Sequence, residues 1–174
     1  MLIELSKLQG MAVGAMNERA KIGVVRKIII SPDEGRILGF TVKIGAILPK
    51  IKVVSFYDVI DIDANGVVIR ASENLINIKD VVRIAELVEK RFSLIGLPVE
   101  TKTKKSLGRV SDALVESQSG DILRLYVSSM FNRLVFEKSQ IEKITLAKVI
   151  VKEERESKAR RKVSLATEKA TEPA

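Results

Sequence analysis

The run Asp61-Ile62-Asp63-Ala64-Asn65-Gly66 puts oxygen-bearing side chains at alternating positions and ends on glycine. That is the opening half of a calcium loop, where alternate oxygens converge on one hard cation and glycine allows the sharp turn. The bidentate Glu that closes such a loop would stand at position 72, which is Ser72, and Glu73 comes one residue late. The flanks are β-rich, and Asn-Gly between apolar runs is a strong hairpin signal. The run therefore reads as a turn with solvated carboxylates, and no metal ligand is assigned.

Two carboxylate pairs, Asp33-Glu34 and Asp58 with Asp61, could in principle do acid/base work. That chemistry needs two carboxylates opposed across a cleft, with one buried enough to raise its pKa. Asp33-Glu34 falls in a turn, where water keeps both ionised. The chain has no Cys and no His, which excludes thiol nucleophiles, histidine triads and zinc or haem ligation through these residues. Gly10 and Gly14 do not open a phosphate-binding helix. The sequence offers no catalytic residue, no cofactor and no metal, and it does not read as an enzyme.

The densest basic cluster is Lys102, Lys104, Lys105 and Arg109, and a second, Arg160, Arg161 and Lys162, lies near the C-terminus. Both are candidate polyanion contacts, for RNA or acidic lipid. Aromatic residues make up only 4% of the chain, so platforms for base stacking are scarce. The plain alternative for the first cluster is a solvated loop that discourages strand edges from pairing.

What must position these residues is an internal repeat. GVVRKIIISPDEGRILGFTV in the first copy answers GRVSDALVESQSGDILRLYV in the second. Gly10 matches Gly96 at an offset of 86, Gly23 and Gly35 match Gly108 and Gly120 at 85, and Val59 and Ile62 match Ile141 and Ile144 at 82. Gly35 and Gly120 each end a tight turn between two β-type runs, so each marks a hairpin. Leu38, Phe40 and Val42 alternate toward one face, as do Leu123, Leu125 and Val127. Lys52 to Val59 and Arg133 to Ile141 read as further β runs, and Val67–Ile69 and Val149–Val151 close the copies. About five short strands per copy predict a small, closed or nearly closed β-barrel.

Between the copies the period changes. Ile78, Val81, Val82, Ala85, Val88 and Phe92 recur at helical spacing behind Asn77 as an N-cap, which predicts an amphipathic helix of about four turns. Its stripe is expected to pack within the chain, leaving Lys79, Arg83, Glu86 and Lys90 in water; a dimer helix is the alternative. From 152 onward the composition is that of a charged tail, expected to be disordered or partly helical.

The residues GMAVGAMNERAKIGVVRKIIISPDEGRILGFTV followed by VVSFYDVIDID resemble a PRC-barrel domain, and Leu94 to Val151 resembles a second, more divergent copy. The pieces are an opening glycine with an aliphatic residue, a glycine ahead of the second strand, the hairpin turn and a late strand ending in an aliphatic residue. Ser55 and Glu137 stand where family members often carry proline. The resemblance implies a mainly β chain: two small PRC-like barrels (1–76 and 93–151), a linker helix (77–92) and a charged tail (152–174). It also implies a non-catalytic interaction or scaffold module that docks onto a larger assembly. Members include the reaction-centre H subunit and the C-terminal domain of a ribosome-maturation factor, so a ribosome- or RNA-associated role is the second reading.

The net charge of +8 is spread out: +2 over 1–76, +1 over 77–92, +3 over 93–151 and +2 over 152–174. A diffuse charge favours solubility and weak attraction to polyanions. Nothing reads as a signal peptide or a membrane span, so a cytoplasmic protein with a protein partner is the expectation.

Overall fold

The computed structural model describes residues 1–152. The fold is mainly β, built of two sheets that curl into half-barrels. The N-terminus contributes a short strand β1 (Leu2–Glu4) and one helical turn α1 (Leu5–Leu8). The first sheet then takes β2 (Ala12–Ala15), β3 (Ala20–Ser31), β4 (Arg36–Ile44), β5 (Lys50–Ser55), β6 (Val59–Ile62) and β7 (Gly66–Ile69). After the helix α2 (Val82–Glu89), the second takes β8 (Pro98–Thr101), β9 (Ser106–Glu116), β10 (Ile122–Ser128), β11 (Arg133–Glu137), β12 (Ile141–Ile144) and β13 (Val149–Val151).

The sheet orders are β5-β4-β3-β2-β7-β6 and β11-β10-β9-β8-β13-β12, the same path twice. All neighbours are antiparallel except β2 with β7 and β8 with β13, which are parallel. The correspondence extends to irregularities. Extra residues bulge out of the ladders at Ile22, Arg26, Leu38 and Ile60, and at Leu107, Ser111, Leu123 and Glu142. The first three pairs stand 85 apart and the fourth 82, the offsets read from the sequence. Because a bulge re-aims the side chains beyond it, four matched bulges give the two sheets the same curl.

These bulges correct the simple alternation. Leu38 and Leu123 are bulge residues and only half-buried, so the inward set is Ile37, Phe40 and Val42, matched by Ile122, Leu125 and Val127. Phe40 and Leu125 are fully buried at equivalent places, as expected. The β runs from Lys52 and from Arg133 are each interrupted by one turn of 3-10 helix, Phe56–Asp58 and Lys138–Gln140.

The predicted four-turn helix is shorter. A 3-10 turn covers Ile78–Asp80, and α2 has only eight residues. Asn77 does not cap it; the Asn77 side chain accepts from Lys52 Nζ at 2.6 Å. The inward face carries Ile84 and Leu87, with Val81 and Val88 beside them, against Ile29 and Val53. Val82, assigned to the stripe, is 71% exposed. The face packs within the chain as expected, but its centre is displaced from the predicted one.

The halves meet on a local two-fold. Ile37 N donates to Gly120 O at 2.9 Å and Ile122 N to Gly35 O at 3.0 Å, an antiparallel bridge between Arg36 and Asp121. Residues 36 and 121 are themselves repeat partners, 85 apart. A residue pairing with its own counterpart is the signature of an isologous contact, here within one chain. The N-terminal segment crosses this seam, β1 pairing with β9 at Leu114–Glu116, whereas α2 stays on the first half, with Arg83 donating to Ser31 at the end of β3 at 2.8 Å. One continuous core links both sheets. Among the described residues no helix is long and apolar enough to cross a membrane.

Candidate functional site

The Asp61–Gly66 run forms the β6–β7 turn. Asp63 Oδ1 accepts from Asn65 N at 2.7 Å and Gly66 N at 3.1 Å. The Asn65 amide hydrogen bonds hold the Asp63 carboxyl below its ordinary pKa. Its oxygens are thus spent on closing the turn. Asp61 accepts from the neighbouring Ile62 N at 2.8 Å, and Asp58 from Asn74 Nδ2 at 3.0 Å. Arg83 contacts both Glu34, at 2.5 Å, and Asp33, at 3.9 Å. Both carboxylates of the first pair thus meet one guanidinium, and those of the second each accept an amide hydrogen bond. Among the described residues no cluster of three or more carboxylates is placed to hold a metal ion.

The first basic cluster stands exposed at the β8–β9 turn and along the start of β9. Lys102 is paired with Glu142 at 2.7 Å. Lys104, at φ 63°, and Lys105 stand exposed in the β8–β9 turn. Arg109 lies on β9 and donates to Gly96 O at 2.8 Å. Arg160, Arg161 and Lys162, with the rest of the tail from 153, lie outside the described residues.

Two open clefts flank the central bridge, related by the repeat. One is lined by Pro32–Gly35 with Lys138, Ile141, Glu142 and Lys143, and has a volume of about 290 Å³. The other, about 490 Å³, is lined by Ser117 and Gln118 with Phe56, Val59, Ile60 and Asp61. Arg36 closes the second: its guanidinium donates to Ser119 O at 2.7 Å and lies 5.9 Å from the Tyr57 ring centre. The linings mix apolar walls with charges of both signs.

Sequence reasoning missed two features. The first is a difference between the halves. In the first, the chain beyond β7 returns to the outer edge of β5, where Val53 N donates to Ile76 O at 2.9 Å and Ile76 N to Val53 O at 3.0 Å. Val53 is completely buried, its side chain lying under Ile84 and Leu87 of α2. Its counterpart Val135, 82 residues on, lies on the terminal strand β11 and is 52% exposed. Among the described residues nothing pairs with the outer edge of β11.

The second is a likeness. At the β4–β5 tip Ile47 and Leu48 are 92% and 83% exposed, and at the β10–β11 tip Met130 and Phe131 are 90% and 89% exposed. The pairs match at an offset of 83. The signal was available: no acidic residue occurs between Glu34 and Asp58, nor between Asp121 and Glu137.

No curated protein matches this chain. The strand path, the Gly35 hairpin and the late strand after Phe56 belong to a segment that one family model matches over residues 1–76, and that segment is a PRC-barrel domain.

Proposed function

We propose that the chain is a tandem pair of PRC-like barrels acting as a non-catalytic, cytoplasmic docking module, and that the outer edge of β11 receives an extended segment of a protein partner. The matched strand path and bulges support the tandem reading. The observation that carries the docking mode is the contrast between the outer edge of β5, whose Val53 backbone is paired with Ile76, and the outer edge of β11, which no described residue pairs. The first half displays the kind of occupant that fits: a short extended apolar segment making two backbone hydrogen bonds, with Leu75 buried beside it. Strand addition of this kind takes affinity from the main chain and specificity from alternate side chains.

Val53 N–H points away from β4, so by the repeat Val135 N–H points away from β10. Val135→Pro removes the outward donor and leaves the β10 ladder intact. Affinity capture from native lysate, with and without nuclease, tests the reading. The expected result is a protein retained by the parent chain in both conditions and lost with Val135→Pro, at an unchanged thermal midpoint. Capture that disappears with nuclease would favour the RNA-associated role instead. Capture unaffected by Val135→Pro would remove the edge from the proposal.

A further inference from the structure

We infer that the apolar β4–β5 hairpin tip is an interfacial anchor for an anionic lipid bilayer, and that the β10–β11 tip, at the opposite end of the molecule, is its repeat counterpart. Four large apolar side chains lie almost wholly in water, two on each of two equivalent hairpins. Single exposed apolar residues are ordinary on a protein surface. A pair recurring at the same place in both copies, in loops whose sequences otherwise differ (Gly-Ala-Ile-Leu-Pro and Ser-Met-Phe-Asn), is a feature the fold presents twice.

The charge behind each tip has one sign. Lys43 and Lys50 stand exposed at the base of the first loop, with Lys52 one pleat further back. Around the second, Ser128 pairs with Arg133 on one side and Arg109 on the other, and both arginines are exposed. The stretch free of acidic residues covers the whole first hairpin, and in the second it runs from Ile122 to Phe136, with Glu137 at the far end of β11 from the tip. Apolar side chains in front and cations behind match the two layers of a bilayer surface, hydrocarbon below anionic headgroups.

The shape favours lipid over a folded partner. A stable protein interface covers roughly 800 Å² on each side, whereas each tip is two side chains on a protruding turn. A bilayer accepts a small wedge without a complementary wall. Backbone geometry keeps the first loop tight: Gly45 takes φ 81°, and Pro49 fixes the return into β5.

The chain has no Trp, so Leu48→Trp and Phe131→Trp each supply a single fluorescent reporter. The full chain is mixed with vesicles of phosphatidylcholine alone or with phosphatidylglycerol added, at low and high salt. Expected are co-sedimentation with the anionic vesicles, a blue shift of the indole emission of the Leu48→Trp variant on binding, and quenching of that emission by brominated acyl chains. The paired substitution Ile47→Ser with Leu48→Ser should weaken binding about tenfold or more, and Lys43→Glu with Lys50→Glu should abolish it. All these positions are exposed, so the thermal midpoint should stay constant. Absence of binding to anionic vesicles at low salt would overturn the inference. So would binding of the Leu48→Trp variant with its emission unshifted, which would reduce the contact to surface charge. A shift that follows protein concentration and not lipid would assign the tips to self-association. Val135→Pro leaves vesicle binding intact, so this inference and the strand-docking proposal fail separately.

Discussion

At the scale of single residues, the core explains more than the charged groups do. Phe40 and Leu125 are repeat partners and both completely buried. Truncating either to Ala removes buried apolar volume that its rigid sheet cannot refill, and should cost about 2–5 kcal/mol. Chemical denaturation of the two variants checks this, and similar losses are expected because the surroundings are equivalent. One strand position away, Thr41 is only 2% exposed and its hydroxyl has no hydrogen-bond partner. A buried hydroxyl without a partner carries a desolvation cost that an apolar group of the same shape does not. Thr41→Val should therefore raise stability by roughly 1 kcal/mol. A lowered denaturation midpoint would mean that the hydroxyl finds a partner in solution.

At the scale of elements, legibility depended on whether a pattern ran unbroken. The repeat was readable because its glycines are demanded by geometry. A Cβ at Gly23 would stand 2.6 Å from Lys43 O, and one at Gly108 2.3 Å from Ser128 O. Both positions exclude a side chain, and they kept the offset of 85 visible. The bulges were not readable, since no residue type is required at Leu38 or Leu123, and period-2 reasoning then assigned the wrong alternate residue. The helix was overextended for a related reason. Ile78 and Val81 continue the apolar spacing, yet they sit in a 3-10 turn ahead of α2. The displaced stripe makes a sharp prediction. Ile84→Asp puts an unpaired charge against Ile29 and Val53, and should cost several kcal/mol by the usual cost of burying a charge. Val82→Asp, on the exposed face, should change stability by less than about 0.5 kcal/mol. Thermal melts of the pair, with mass measured in solution, distinguish this from a helix that pairs two chains; that arrangement would respond to Val82→Asp by losing mass. The candidate surfaces were the least legible part. The open edge at Val135 is visible only by comparison with Val53, and that comparison needs the return of Ile76 to β5.

At the scale of the whole molecule, the halves are copies but not independent units. The Arg36–Asp121 bridge joins the sheets through backbone, and β1 belongs to the second sheet although it opens the first copy. Ser6 fastens the same crossing, its hydroxyl and amide both donating to Asp112, at 2.5 and 3.1 Å. A unit of this size buries only about 60% of its unfolded surface and is marginal alone. Splitting the chain within 90–93 would leave the second half without β1, and would expose the Ile37 and Ile122 backbone groups now paired across the seam. Fragments 1–92 and 93–174, made separately, should therefore melt early and with poor cooperativity. Mixed, they should form a 1:1 complex whose melt approaches that of the intact chain. Residues 5–92 in place of 1–92 should fail to restore it, because β1 and its ladder with Leu114–Glu116 are gone. If 93–174 alone melts as one sharp transition at the intact midpoint, the seam contributes nothing to folding. The two tips would then be carried on separable domains, each free to meet a surface by itself. If the halves require each other, β4 and β10 leave the shared bridge in opposite directions as parts of one body, and the tips they carry are held in fixed relation.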